Sequence, residues 1–337
     1  MARYVVSRIV QAIGVVFGVV VMTFVIARMI PGDPAVAYAG PKASAAQLER
    51  VRRQFGLDQP LWKQFLEYLR GLLHGDLGIS LHTKQPVLDD LGRVIPTSLV
   101  LVTIAMLLAA VAGIPLGIVA ARSEGRIGDL ASKVIAILMV SMPIFWLAIL
   151  LQMVFFSRLG WLPVAGTYDS ALDQTSPLYT VIGVPVVDSL LTGNWPVFIS
   201  CLRHLVLPVA ALAAYPTGAV ALVTRGALLD NLADEHVRMV RALGFHERTV
   251  LGRFALRPAL NPIVSLLALV FAYALTNSFI VESVFDLPGL GSYAVKSIQT
   301  LDVPAILGVT LVVALIYVFL NLAVDLVQAV IDPRVRS

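Results

Sequence analysis

The chain has 337 residues, of which 58% are hydrophobic and only 14% charged, with a formal net charge of +4. Soluble domains carry about a quarter charged residues, so too little polar surface is present to cover a globular body of this size. A nucleic-acid partner is not indicated either, because no basic soluble domain or aromatic-interleaved basic patch follows a phosphate backbone.

Six apolar stretches follow in chain order, at residues 9–30, 98–121, 134–157, 205–224, 258–281 and 303–324. A hydrocarbon core of about 30 Å needs roughly 20 helical residues. Unpaired backbone amides are costly in hydrocarbon, and the runs lack the alternation of a barrel strand. The fold class is therefore an all-α polytopic membrane protein with six transmembrane helices. Gly113, Pro115 and Gly117 in the second run and Pro143 in the third are of the kind membrane helices tolerate. Both prolines are open to two readings, ordinary packing kinks or gates. The first run leads into Met29-Ile30-Pro31-Gly32, not a small-residue cleavage site, so it is expected to stay as the first span.

The external segment at 31–97 carries two short helical patterns. Ser44 can cap one with Leu48, Val51 and Phe55, and Pro60 can open another with Trp62, Phe65, Leu69 and Leu72 on related faces. Packing of these faces on each other or on the membrane is one reading, and a peptide-binding platform of Trp62 and Phe65 is the other. A second external segment, 158–203, holds the apolar stretch 181–188, which is too short to span and is interrupted by Pro185 and Asp188. A short surface element is expected there.

An even number of spans puts both termini on one side. If that side is cytoplasmic, the short internal segments hold Arg3, Arg8, Arg122, Arg126, Lys133, the arginines from Arg225 to Arg257, and Arg334 and Arg336. The short external ones hold only Arg158, Arg203 and Lys296, which is the asymmetry of the positive-inside rule.

Chemistry of a catalytic site is not evident. There is no His-Glu-x-x-His, no Gly-x-Ser-x-Gly and no phosphate-cradling loop with Lys-Ser/Thr. Cys201 is the sole cysteine, with His204 nearby but no orienting group. His74, His82, His204, His236 and His246 are scattered without ligand spacing, so no metal or cofactor site is expected. The polar span residues Gln152, Asn261, Asn277 and Asn321 do not form an evident ion relay.

The turn between the fourth and fifth runs is more informative. Residues 230–244 read as a short helix closed by Gly244. His236, Met239, Val240 and Leu243 recur at three- and four-residue spacing, with Asp234, Glu235, Arg238 and Arg241 as polar edges. Such an element can dock in a partner's groove, or it can pack only on its own bundle.

With these pieces in place the chain resembles, over nearly all of 1–336, the dipeptide/oligopeptide/nickel permease family of ATP-binding-cassette importers, as the first permease subunit of the pair. The likeness is carried by Ile30-Pro31-Gly32-Asp33-Pro34, Gly75-Asp76-Leu77-Gly78-Ile79-Ser80 and Arg93-Val94-Ile95-Pro96-Thr97. It continues from Arg248 to Pro262, through Glu282-Ser283-Val284-Phe285-Asp286-Leu287-Pro288-Gly289-Leu290-Gly291, and ends in Asp332-Pro333-Arg334-Val335-Arg336. The family's coupling turn reads Glu-Ala-Ala-x3-Gly, and here Arg238-Met239-Val240 precede Gly244 at that spacing. The general pattern also has Leu-Pro after the turn, where this chain has Leu256-Arg257-Pro258, and Arg257 is expected to anchor the start of the fifth span.

The resemblance implies a bacterial inner-membrane subunit in lipid, both termini cytoplasmic, that is not itself an enzyme. Its partners would be a homologous second permease subunit, two cytoplasmic ATPases that bind ATP and Mg, and an external peptide-binding protein. Peptide is the implied substrate, with nickel complexes or another small solute as the alternative and an ATP-independent channel or carrier as the competing class. The expected organisation is 1–30 for the N-terminus and first helix, 31–97 external, 98–331 a five-helix core with a coupling loop at 226–257, and 332–337 a cytoplasmic tail. Asp234 to Gly244 would transmit ATPase motion to the helices.

Overall fold

The computed structural model describes residues 2–29, 35–36, 43–54 and 56–331, and among them the chain is helical apart from turns, irregular loops such as the one leading up to Pro185, and one isolated bridge, Ile79 with Pro86. Five helices are long and apolar enough to cross a membrane, and a bent pair makes a possible sixth. They begin with α1, Ala2–Met29. Two short helices, α2 (Ala45–Gln54) and α3 (Leu61–Leu73), precede α4 (Val87–Arg122). The bent pair is α5 (Ile127–Ser141) and α6 (Ile144–Leu151), the latter extended by a π-helical stretch Gln152–Arg158. Then come α7 (Pro185–Leu191), α8 (Trp195–Ala233), α9 (Glu235–Ala242), α10 (Arg257–Val284), α11 (Leu290–Gln299) and α12 (Val303–Ile331).

The third apolar run is not one straight helix, and this corrects the sequence reading. α5 and α6 meet at 105° across Met142 and Pro143, both of which are extended. Proline at 143 denies the Met139 carbonyl its fourth-residue donor and pushes the preceding residue out of the helical region. Pro96, Pro115, Pro208, Pro216 and Pro262, by contrast, lie inside unbroken helices. The fourth run is also longer than its apolar part: α8 starts where the Asn194 side chain accepts the Val197 N–H at 3.4 Å and absorbs Cys201, Arg203 and His204.

Among the described residues, the chain folds as two compact units, one of 96–287 with 320–331 and the other of 2–95 with 288–319. In the first, small residues let helix backbones meet, as helix pairs in lipid require. A Cβ on Gly117 of α4 would lie 2.6 Å from the Ala221 carbonyl of α8, and one on Gly218 of α8 would lie 2.5 Å from the Ala136 carbonyl of α5. Polar ties are buried beside these contacts. Asp129 of α5 receives Arg225 Nε at 2.7 Å and Arg225 Nη2 at 3.0 Å, with Lys133 Nζ also at 3.0 Å. Ser98 of α4 and Ser278 of α10 both donate to Glu282 Oε1, at 2.6 and 3.0 Å. The segment before α8 is organised by Asp188, which is fully buried and accepts the Ile182 and Gly183 N–H groups at 2.8 and 3.0 Å. The expected surface element is thus a one-sided helix, α7, with Pro185 in its first turn.

The second unit contains the short helices predicted from Ser44 and Pro60. Ser44 and Gln47 cap each other reciprocally, at 3.3 and 2.7 Å, and Pro60 precedes α3. Phe55 lies outside the described residues. Phe24 packs on Phe65 and Tyr68 with ring centroids 5.2 and 5.8 Å apart. Trp62 is 61% exposed, whereas Phe65 packs inward on Phe24. Ser80, at the end of the Gly75–Ser80 motif, donates to Asp302 Oδ2 at 2.6 Å, and Asp302 Oδ1 in turn caps α12 through the Ala305 N–H at 3.2 Å. Asp90 accepts Thr83 Oγ1 at 2.5 Å and the Tyr293 hydroxyl at 3.1 Å. Burial, ahead of the neighbouring Asp90 charge, pushes the Tyr293 phenol pKa up, so the phenol stays a donor.

Candidate functional site: the short helix between α8 and α10

The helix α9 exists, but it is shorter than the predicted element. Asp230 to Ala233 belong to α8, and Asp234, with extended ψ of 146°, is the corner from which α9 departs. Asp230 and its neighbours continue the span because nothing in 225–233 interrupts the helix before that corner. The other end closes as expected: Leu243 ends α9 and Gly244 takes φ +79°. No heavy atom lies within 4 Å of where its Cβ would be, so glycine is required there by backbone conformation and not by space.

Three contacts fix α9 to the bundle. Arg238 Nε and Nη2 donate to the Ala233 carbonyl at 3.2 and 2.8 Å, capping the C-terminus of α8. Arg241 Nε pairs with Glu247 Oε1 at 2.9 Å across the Gly244 turn. Val237 is completely buried, and Asn231 Nδ2 holds the Ala255 carbonyl at 2.9 Å just beneath. A core of Ala121, Val220, Leu228, Leu251, Ala255, Ala259 and Ile263 joins α4, α8, the stretch before α10 and α10 itself. Val237 was not on the predicted stripe. It lies next to it, and a valine flanked by His236 and Arg238 carries no mark of which way it turns.

The predicted stripe divides. Val240 is half-buried, whereas Met239 is 66% exposed and Leu243 65% exposed, with His236 on the same side. His236 Nδ1 is 3.7 Å from Asp234 Oδ2, and Glu235 is exposed. Phe245 continues the apolar side just past the glycine, its ring 5.9 Å from that of Phe254. A rigidly mounted helix with a bare apolar side is mechanically suited to pass a push from whatever covers that side into α8 and α10. A polar cleft of about 640 Å³ lies alongside, lined among others by Arg122, Glu124, Arg126, Arg241 and Glu247.

The chain then re-enters its fifth span without a fresh start. His246 caps a turn at Glu247–Thr249, a π-helical stretch Val250–Leu256 follows, and α10 runs on from it. Arg257, the first residue of α10, is exposed and follows the π-helical stretch without a break. Elsewhere, Cys201 is buried, and among the described residues no group of three His, Cys, Asp or Glu side chains could hold a metal.

Residues 113–337 match the family described as binding-protein-dependent transport system inner membrane component, and residues 1–102 match the N-terminal part of such membrane components. A probable D,D-dipeptide transport system permease protein of Escherichia coli K12 is 43% identical over 321 residues, covering 95% of this chain and 94% of its own. A dipeptide transport system permease protein of Alkalihalophilus pseudofirmus is 35% identical over 336 residues, with both chains covered in full. A glutathione transport system permease protein of Escherichia coli O6:H1 is 36% identical over 337 residues, covering 100% of this chain and 99% of its own.

Proposed function

We propose, since the chain belongs to the binding-protein-dependent transport system inner membrane component family, that it is the permease subunit of an ATP-driven importer of di- or oligopeptides and forms half of the translocation pathway. Dipeptide and glutathione permeases of the same length and end-to-end match support the peptide substrate. α9 is the coupling helix within a cytoplasmic loop at 226–257, and 31–97 is the external segment. The six spans put both termini in the cytoplasm, residues 332–337 included. A homologous permease subunit, two cytoplasmic ATPases holding ATP and Mg, and an external peptide-binding protein complete the assembly. The chain hydrolyses nothing itself.

The observation that carries the coupling role is the pair Met239 and Leu243, both about two-thirds exposed on a helix otherwise clamped by Arg238, Arg241 and Val237. Arg238, standing where the family has glutamate, caps α8 instead of reaching outward, so docking falls to the apolar side. Closure of the ATPase pair acts on that side, and differential binding in the two states switches access to the cavity. Reconstituting the four-subunit complex in liposomes tests the whole reading. Peptide uptake is expected only with ATP and the external receptor together, and uptake without either would overturn it.

A further inference from the structure

The bend between α5 and α6 does not stand alone. It opens onto a recess of about 220 Å³ whose other walls come from α8 and α10, with Met142, Tyr215, Tyr273 and Asn277 among the lining residues. We propose that this recess is an intramembrane contact site for the transported peptide, in which Tyr215 and Tyr273 receive an apolar side chain and Asn277 meets the peptide backbone. The proposal rests on the reading of the chain as a peptide permease and adds where, in this chain, the peptide is touched.

Three observations converge on it. Extended backbone at Met142 and Pro143 lies between the ends of a candidate span, and hydrocarbon tolerates such backbone only where protein covers it or it lines a water-filled cavity. The recess collects polar atoms that lipid would not solvate. The Tyr215 and Tyr273 rings sit 4.9 Å apart at 44°, Tyr273 is 53% exposed, and Asn277 Nδ2 donates to the Tyr273 carbonyl at 2.9 Å. Among the described residues nothing donates to Asn277 Oδ1, which leaves an acceptor for a peptide N–H. Finally, the walls are set by backbone: Gly218 brings α8 onto α5 so closely that a Cβ there would be 2.5 Å from the Ala136 carbonyl.

The chemistry of the lining selects among ligands. It contains no charged side chain, so it suits neutral peptide bonds and apolar side chains better than free termini or metal complexes. Aromatic faces with a single amide give a weak, sequence-tolerant contact, as a passage needs. A lipid acyl chain would use the rings and leave the amide unpaired; burial against the second permease subunit would hide both.

The test uses the complete importer in liposomes with saturating receptor. Uptake of glycylglycine and of a dipeptide bearing a leucine or phenylalanine side chain is compared for wild type, Tyr273→Ala, Tyr273→Phe and Asn277→Leu. Tyr273→Ala should lower uptake of the apolar peptide relative to glycylglycine by about three- to tenfold, while Tyr273→Phe keeps the wild-type ratio and Asn277→Leu slows both peptides alike. Unchanged ratios and rates in all variants would overturn the site. Asn277→Cys supplies an independent readout: a water-soluble thiol reagent should modify it, and the transported peptide should slow that modification. No modification, or modification indifferent to peptide, counts against the proposal. Wild type that imports no peptide at all would instead remove the premise, whereas wild-type peptide import with indifferent variants removes only the site.

Discussion

Leu243 and Gly244 are adjacent and do different things. Leu243 is exposed in the chain, so Leu243→Asp should leave its folding intact and act only where the side meets a partner. Burying an unpaired carboxylate there costs several kcal/mol, enough to dislodge a short docking helix. In the reconstituted complex, uptake and receptor-stimulated phosphate release should both fall by at least about tenfold; normal values for both would show that this side carries no coupling contact. Gly244 acts through φ +79°, where a side chain is strained by roughly 1–2 kcal/mol. Gly244→Val should therefore impair coupling, while Gly244→Asn, which tolerates the left-handed region, should retain most of it. Equal loss in both would point to a need for bare space. The glycine and the stripe were legible in sequence because each is a local pattern. Arg238 on the Ala233 carbonyl, Arg225 on Asp129 and Ser80 on Asp302 were not, since pairs 5, 96 and 222 residues apart leave no spacing signal.

At the level of elements, hydropathy located the five long apolar helices and the bent pair that would make a sixth, yet it could not tell Pro143, which breaks a helix, from Pro115 and Pro262, which do not. Small-residue contacts are likewise visible as glycines but not as partners. Gly117 meets the Ala221 carbonyl and Thr224, whereas Gly14 in α1 has nothing within 4 Å of its Cβ position. Gly117→Ala should thus force α4 off α8 and lower the thermal unfolding midpoint of the detergent-purified complex, at an overpacking cost of about 1–3 kcal/mol. Gly14→Ala should leave the midpoint unchanged or raise it slightly. If the two behaved alike, close approach of α4 and α8 would not be a determinant of stability.

Whole-molecule orientation follows from one long helix and the charges at its end. α8 has 39 residues, which at 1.5 Å per residue is about 58 Å, well beyond the roughly 30 Å hydrocarbon core. With α8 as a span, the segment before it and the α9 helix after it are expected on opposite sides of the bilayer. Arg122, Arg126 and Arg241 share the cleft beside α9, and Arg238, Arg248 and Arg253 are exposed nearby. By the positive-inside rule, that end is proposed to face the cytoplasm. Single cysteines at Tyr179, 75% exposed before α8, and at Met239, 66% exposed on α9, separate the two sides in a background where the buried Cys201 is alanine. A membrane-impermeant maleimide should label Tyr179→Cys in intact spheroplasts and Met239→Cys only in inverted vesicles. Labelling of Met239→Cys from outside would invert the map and remove α9 from reach of any cytoplasmic ATPase.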